Sequence, residues 1–243
     1  MSTVRADLRR WWRRSARHRP SSATGWLAVI TIAAYVVQLL TRGLLEALLS
    51  YHPYDSLPRL GVPFEPWRML TTALIHQPVG AGLSIIGLTH IAFNMYALVL
   101  FGRPLENVLG WRRLLAVYGL SVLAGSVAVL YASFAGLIDV RTEVYGASGG
   151  VFGVLGAVAA VQRRLGVDVR ALLLMIGINF AIPFFVGNIA WQAHLGGLIV
   201  GALVGWLFIA NRGPKRDVRA RIGAGAVLAV LLVLALVPAL VVP

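Results

Sequence analysis

The chain has 243 residues, of which 58% are hydrophobic and only 13% charged, with no cysteine and a net charge of +13. A soluble globular domain carries about 25% charged residues, so the composition excludes that class; the lack of cysteine excludes disulfides, a thiol nucleophile and cysteine-ligated metals. The basic excess alone suggests nucleic acid, but basic and apolar excess together suggest a membrane protein with several spans and basic cytoplasmic loops.

Residues 1–22 form a tail with seven arginines and one acid. The apolar run Ala23 to Leu40 is laid out like a signal peptide, but no small-residue cleavage site follows it. It reads as an uncleaved anchor and first span. Thr41 to Trp67 is a long, mixed first loop, with Arg42–Ser50 expected as a short amphipathic helix at the membrane surface. From Met69 to Gly102 there is no charge. One helix of that length would be about 51 Å, against a hydrocarbon core of about 30 Å. Pro78, Gly80 and Gly82 break it, giving a second span at Leu83–Phe101 after an apolar loop end. Leu114–Ile138 is expected as the third span and Val144–Gln162 as the fourth. Ala171 to Asn211 is uncharged and holds two spans, Ala171–Phe185 and Trp191–Ala210, turned by Pro183, Gly187 and Asn188. A basic loop, 211–221, precedes a seventh span, Ile222–Val242. The expected fold is an all-α polytopic membrane protein: a basic tail (1–22), a six-span core (23–210), and a basic loop with a seventh span (211–243).

The charges sort by side. With the tail in the cytoplasm, it and loops 103–113, 163–170 and 212–221 hold 18 of the 22 basic residues. Net charge is then +14 inside and −1 outside, the positive-inside asymmetry. The basic excess thus reports orientation, and nucleic acid is not expected as a partner.

Ionisable groups inside a membrane are costly and point to function. None of the nine acids falls in an expected span. That argues against aspartyl and metal-dependent intramembrane proteases and against proton-coupled transport; an inverted repeat, the other mark of many transporters, is also lacking. The spans do contain His90, Asn94, Ser148 and His194. Ser148 is expected about 7 Å into the fourth span, His194 at roughly 5–9 Å in the sixth and His90 at roughly 10 Å in the second, at 1.5 Å per residue. Three distant segments thus bring polar groups to one depth near the outer face. Gly197, Gly201 and Gly205 follow His194 at +3, +7 and +11, on its own helix face. Gly146, Gly149, Gly150, Gly153 and Gly156 surround and follow Ser148. Small residues let membrane helices approach closely, which would bring Ser148 within reach of His194, a base able to activate the hydroxyl. His90 and Asn94, at i and i+4 on one face, suit the stabilisation of an oxyanion. GASGG also matches G-x-S-x-G, but the strand and acid partner of a hydrolase elbow are absent. Taken singly, each feature is ordinary helix packing: a serine among glycines, a histidine in a polar contact, a glycine stripe. Their joint occurrence at one depth favours catalysis.

At these residues the chain resembles the rhomboid intramembrane serine proteases, over about Glu65 to Gly205. PWRMLTTALIH carries the Trp67–Arg68 pair of the first loop, HIAFNM the H-x-x-x-N at His90 and Asn94, and FGRPLENVLG the segment with Glu106 and Gly110. GASG, with Gly146, Ser148 and Gly149, matches the nucleophile motif, and AHLGGLIVG the sixth-span motif. The resemblance implies a Ser148–His194 dyad without a carboxylate. It also implies an oxyanion hole of His90, Asn94 and the Ser148 backbone N–H, and a lateral gate at the fifth span and Ala181–Ile189. Phe152 stands where some members have tyrosine and is expected to stack on His194. Pro78–Leu88 reads as an insertion, which leaves the role of His76 open. The expected function is a serine endopeptidase, without metal or cofactor, cleaving membrane-protein substrates in the bacterial inner membrane, N-terminus inside and C-terminus outside. The alternative is a non-catalytic relative that binds transmembrane segments.

Overall fold

The computed structural model describes residues 22–57, 63–77, 85–182, 185, 190–211 and 213–241. Among these, α1 (Ala23–Thr41) opens on Ser22, whose hydroxyl caps the helix by accepting from Gly25 N. Its buried residues are Thr24, Ala28, Thr31, Tyr35 and Gln38. That alternation of four and three is a single helix face, and the other face carries exposed apolar side chains such as Val29, Ile32 and Val36. A left-handed turn at Arg42 and Gly43 sends the chain into α2 (Leu44–Leu49), where the short surface helix was expected.

The first loop continues through a 3₁₀ turn (Pro53–Ser56), then α3 (Arg68–Thr71) and a second 3₁₀ turn (Thr72–Leu74). Arg68 fastens it. Its guanidinium donates to the carbonyls of Ala47 and Ser50 at 2.8 and 3.1 Å and pairs with Glu65 at 2.7 Å. One buried cation thus joins α2, the loop and α3. Replacing Arg68 with alanine is expected to cost about 2–3 kcal/mol, the worth of charge-assisted bonds left unmade. Arg68→Lys should recover only part of this, because an ammonium lacks the fork. Thermal unfolding in detergent measures both.

Next come α4 (Ile85–Leu109), α5 (Trp111–Phe134), α6 (Ser148–Arg164), α7 (Arg170–Ala181), α8 (Trp191–Ala210) and α9 (Pro214–Val241). The chain is an all-helical polytopic membrane protein, and α1, α4, α5, α8 and α9 are each long and apolar enough to cross a bilayer. Several expected boundaries are corrected. The second span runs on past Phe101 to Leu109, because Glu106 is satisfied at the helix end: its carboxylate accepts from the N–H groups of Ala23 and Thr24 and from the Thr24 hydroxyl. This acid therefore sits within a helix and caps the positive N-terminus of α1. The basic stretch expected as a loop after Asn211 is the first part of α9, where Asp217 pairs with Arg113 and with Arg221 one turn on. The fourth span begins at Ser148, not Val144.

At the centre, α8 packs most extensively on α6, and both pack on α5. Glycines set the distance. A β-carbon at Gly197 would run into the backbone of Gly149, one at Gly201 into Gly153, and one at Gly205 would lie 2.6 Å from Ala157 Cα. The two helices touch backbone to backbone, as their small-residue stripes imply.

Candidate active site

α6 has 17 residues and α5 has 24. Gly153 of α6 lies against Ser121 of α5, and α5 runs on to Phe134 whereas α6 starts one turn back at Ser148, so at 1.5 Å per residue Ser148 lies roughly 10 Å below the far end of α5. The recess arises because α6 is short, not because Ser148 lies five residues inside it. Gly146, at φ +118°, makes the turn into the helix that only glycine takes easily. An extended segment leads to that turn. Val144 exchanges backbone hydrogen bonds with Tyr51 (3.1 and 2.7 Å), Gly146 N donates to Thr72 O at 3.1 Å, and the Thr72 hydroxyl donates to Val144 O. Thr72 was not anticipated from the sequence. One more small hydroxyl in TTAL gives no local signal that it will pin a segment 72 residues away.

His194 is the fourth residue of α8, and its Nε2 lies 2.9 Å from Ser148 Oγ. Nδ1 of the same ring is buried and, among the described residues, has no hydrogen-bond partner, so none of their carboxylates orients it. The ring is held by stacking instead: Phe152 lies parallel to it, centroids 4.3 Å apart and planes 7° apart. Phe152 is one turn beyond Ser148 on the same face of α6, so the helix that carries the hydroxyl also carries the ring that stacks on the imidazole.

His90 and Asn94 project from α4 toward the same place. A β-carbon at Gly146 would stand 3.3 Å from His90 Nε2 and 3.7 Å from Ser148 Oγ, so glycine there leaves the space between the two open. Asn94 donates one amide hydrogen to His90 O at 2.9 Å, one turn back in its own helix, which leaves a second donor. Ser148 is the first residue of α6, whose N-cap, Ala147, offers no side-chain acceptor. Its N–H is among those a helix start leaves unpaired. His90, Asn94 and Ser148 thus line one cleft together. Gly149 borders α8 at Ala193 O, 3.6 Å from where its β-carbon would be.

All these groups line a cleft of about 590 Å³ between α4 and α7, walled by Phe93, Ala97 and Leu100 on one side and Met175, Asn179 and Ile182 on the other. Trp67 and Arg68 do not line it; Arg68 fastens the first loop, and the Trp67 side chain is half exposed. The expected insertion lies mostly outside the described residues, as does most of the expected gate at 181–189. Yet His76, just before that insertion, reaches the site's margin. Its ring centroid is 5.2 Å from that of His90, because Gln38 of α1 ties down the His76 backbone with two hydrogen bonds (2.7 and 3.1 Å).

Fold and cleft together define a multi-pass helical membrane protein with a serine and a histidine paired in a pocket among its helices. A Rhomboid domain model matches residues 63–211, and the chain belongs to the rhomboid family. It is 33% identical to rhomboid protease GluP of Bacillus subtilis over 145 residues, covering 56% of this chain and 25% of that protein. It is 28% identical to human rhomboid-related protein 3 over 201 residues (75% and 44%). To the putative rhomboid protease YdcA of B. subtilis it is 29% identical over 153 residues (61% and 70%). The chain spans from a quarter to about half the length of the first two.

Proposed function

We propose that this protein is an intramembrane serine endopeptidase that hydrolyses peptide bonds in the transmembrane segments of other membrane proteins. The observation that carries the reading is the 2.9 Å contact of His194 Nε2 with Ser148 Oγ inside a cleft bordered by two membrane helices. Ser148 Oγ attacks the scissile carbonyl carbon as His194 takes the hydroxyl proton. Negative charge gathers on the carbonyl oxygen, which the Ser148 N–H, His90 Nε2–H and the free Asn94 amide hydrogen stabilise. The tetrahedral species collapses, the C–N bond breaks, and His194 returns the proton to the leaving amine. Water, activated by the same imidazole, then cleaves the acyl-enzyme. No carboxylate is required, in keeping with the His194 Nδ1, which is unpartnered among the described residues.

The same reading assigns catalysis to 23–210, with Gly146, Gly149 and Phe152 shaping the dyad and Trp67 and Arg68 supporting the first loop. Residues 211–243 add a peripheral helix. The reading places the chain in a bacterial inner membrane; charge asymmetry supports an N-terminus in the cytoplasm, and seven spans would then put the C-terminus outside. Reaction of the detergent-solubilised protein with a fluorophosphonate probe tests the proposal. Wild type should label and Ser148→Ala should not; a wild type that binds transmembrane peptides but neither labels nor cleaves them supports the non-catalytic alternative. His90→Ala and Asn94→Ala are each expected to lower kcat by about 10²–10³ with little change in KM, because their donors act on charge that develops only in the transition state.

A further inference from the structure

Among the described residues lining the cleft, Glu143 is the only one whose side chain carries a formal charge as Asp, Glu, Lys or Arg. It lies on the extended segment just before Ser148, whose backbone is tied to Tyr51 on one side and Thr72 on the other. Val144 is buried, while Glu143 and Tyr145 on either side are partly exposed and border the cleft. The Tyr145 hydroxyl donates to Gln77 Oε1 at 3.1 Å, which fixes that end of the segment.

Among the described residues Glu143 has no hydrogen bond or ion pair. None of the three basic residues described on this side forms an ion pair with it: Arg68 is held by Glu65 and the Ala47 and Ser50 carbonyls, and Arg42 and Arg141 are exposed and do not line the cleft. The Tyr145 phenol is held above its ordinary range, first by burial and then by the Glu143 charge. Glu143 faces a pocket whose walls are mostly apolar, where a single charge is focused and not averaged away.

We propose that Glu143 selects substrates bearing a lysine or arginine close to the scissile bond on its water-facing side. The inference rests on the protease reading and adds the substrate class. A cation there meets an unpaired carboxylate, whereas an acidic residue meets like charge in a confined space, so the preference contains both an attractive and a repulsive part.

The test uses the full chain and a set of single-span peptides that differ only in carrying Lys, Gln or Glu at successive positions outside the apolar segment. At the best position the Lys peptide should exceed the Glu peptide about ten-fold in kcat/KM at low salt, and the gap should shrink at high ionic strength. E143Q should flatten the ratio and E143K reverse it. Thermal unfolding shows whether each variant is folded. A folded E143K with the wild-type order of preference overturns the proposal, as does a wild type indifferent to the charge. Binding of the same peptides to Ser148→Ala, read by fluorescence anisotropy, should show the same order without turnover. If wild type fails to label or cleave, the protease reading fails, and the binding series still decides for or against Glu143.

Discussion

Ser148→Ala is expected to reduce cleavage of a single-span reporter by about 10³-fold or more and to abolish fluorophosphonate labelling, while thermal stability changes little. The hydroxyl removed is the nucleophile, and its only described polar partner is His194 Nε2 at 2.9 Å. His194→Ala should be nearly as damaging, and the double variant no worse than either alone, because two groups that act in one proton transfer fail together. Stability should separate them. Loss of the serine hydroxyl leaves packing intact, whereas loss of the imidazole removes the ring on which Phe152 stacks. A double variant with a further large fall in rate would mean that the two residues act independently, and the dyad reading would be wrong.

Gly197→Ala is expected to be a harmful single methyl, and most of all for activity. The added carbon would enter the space of the Gly149 carbonyl, on the residue next to Ser148. Backbone cannot rotate aside as a side chain can, so α6 and α8 must separate. Overpacking of this kind costs about 1–3 kcal/mol. The activity loss should be larger than the stability loss suggests, about 10²-fold, since a shift near 1 Å in a reacting pair has that effect. Gly119→Ala is the control: nothing lies within 4 Å of its added carbon. The melting temperature and the labelling rate, measured for both, should fall together for Gly197 and stay near wild type for Gly119.

What was legible in the sequence follows from what is rare in a membrane helix. Ser148, His194, His90 and Asn94 stood out because polar groups among apolar residues are conspicuous, and the glycine spacing pointed to the pairing of α6 with α8. Helix ends were less legible, because charge was taken as the mark of a loop. Glu106 and Asp217 instead lie in helices, each neutralised by a group from another segment: the α1 N-terminus for one, Arg113 for the other. No local pattern announces a partner more than 80 residues away. The nearness of His76 to His90 was hidden for the same reason. An insertion between them suggested separation, but the link runs through Gln38, a polar residue in the first span that reads as unremarkable until its two bonds to His76 are seen.

The two sides of the cleft differ in how they are held. α6 and α8 grip each other through backbone, whereas in α7 only Ile176 is buried, and Leu173, Leu174 and Ile178 face outward. With so little of its surface committed to the other described residues, α7 is expected to depend on the surrounding bilayer more than the opposite wall does. A thicker or more ordered bilayer is then expected to change how far that wall leans more than it shifts the wall that bears Ser148 and His194, where α6 and α8 touch through backbone. Turnover in vesicles of graded acyl length would register this as a change in rate with no change in the protein.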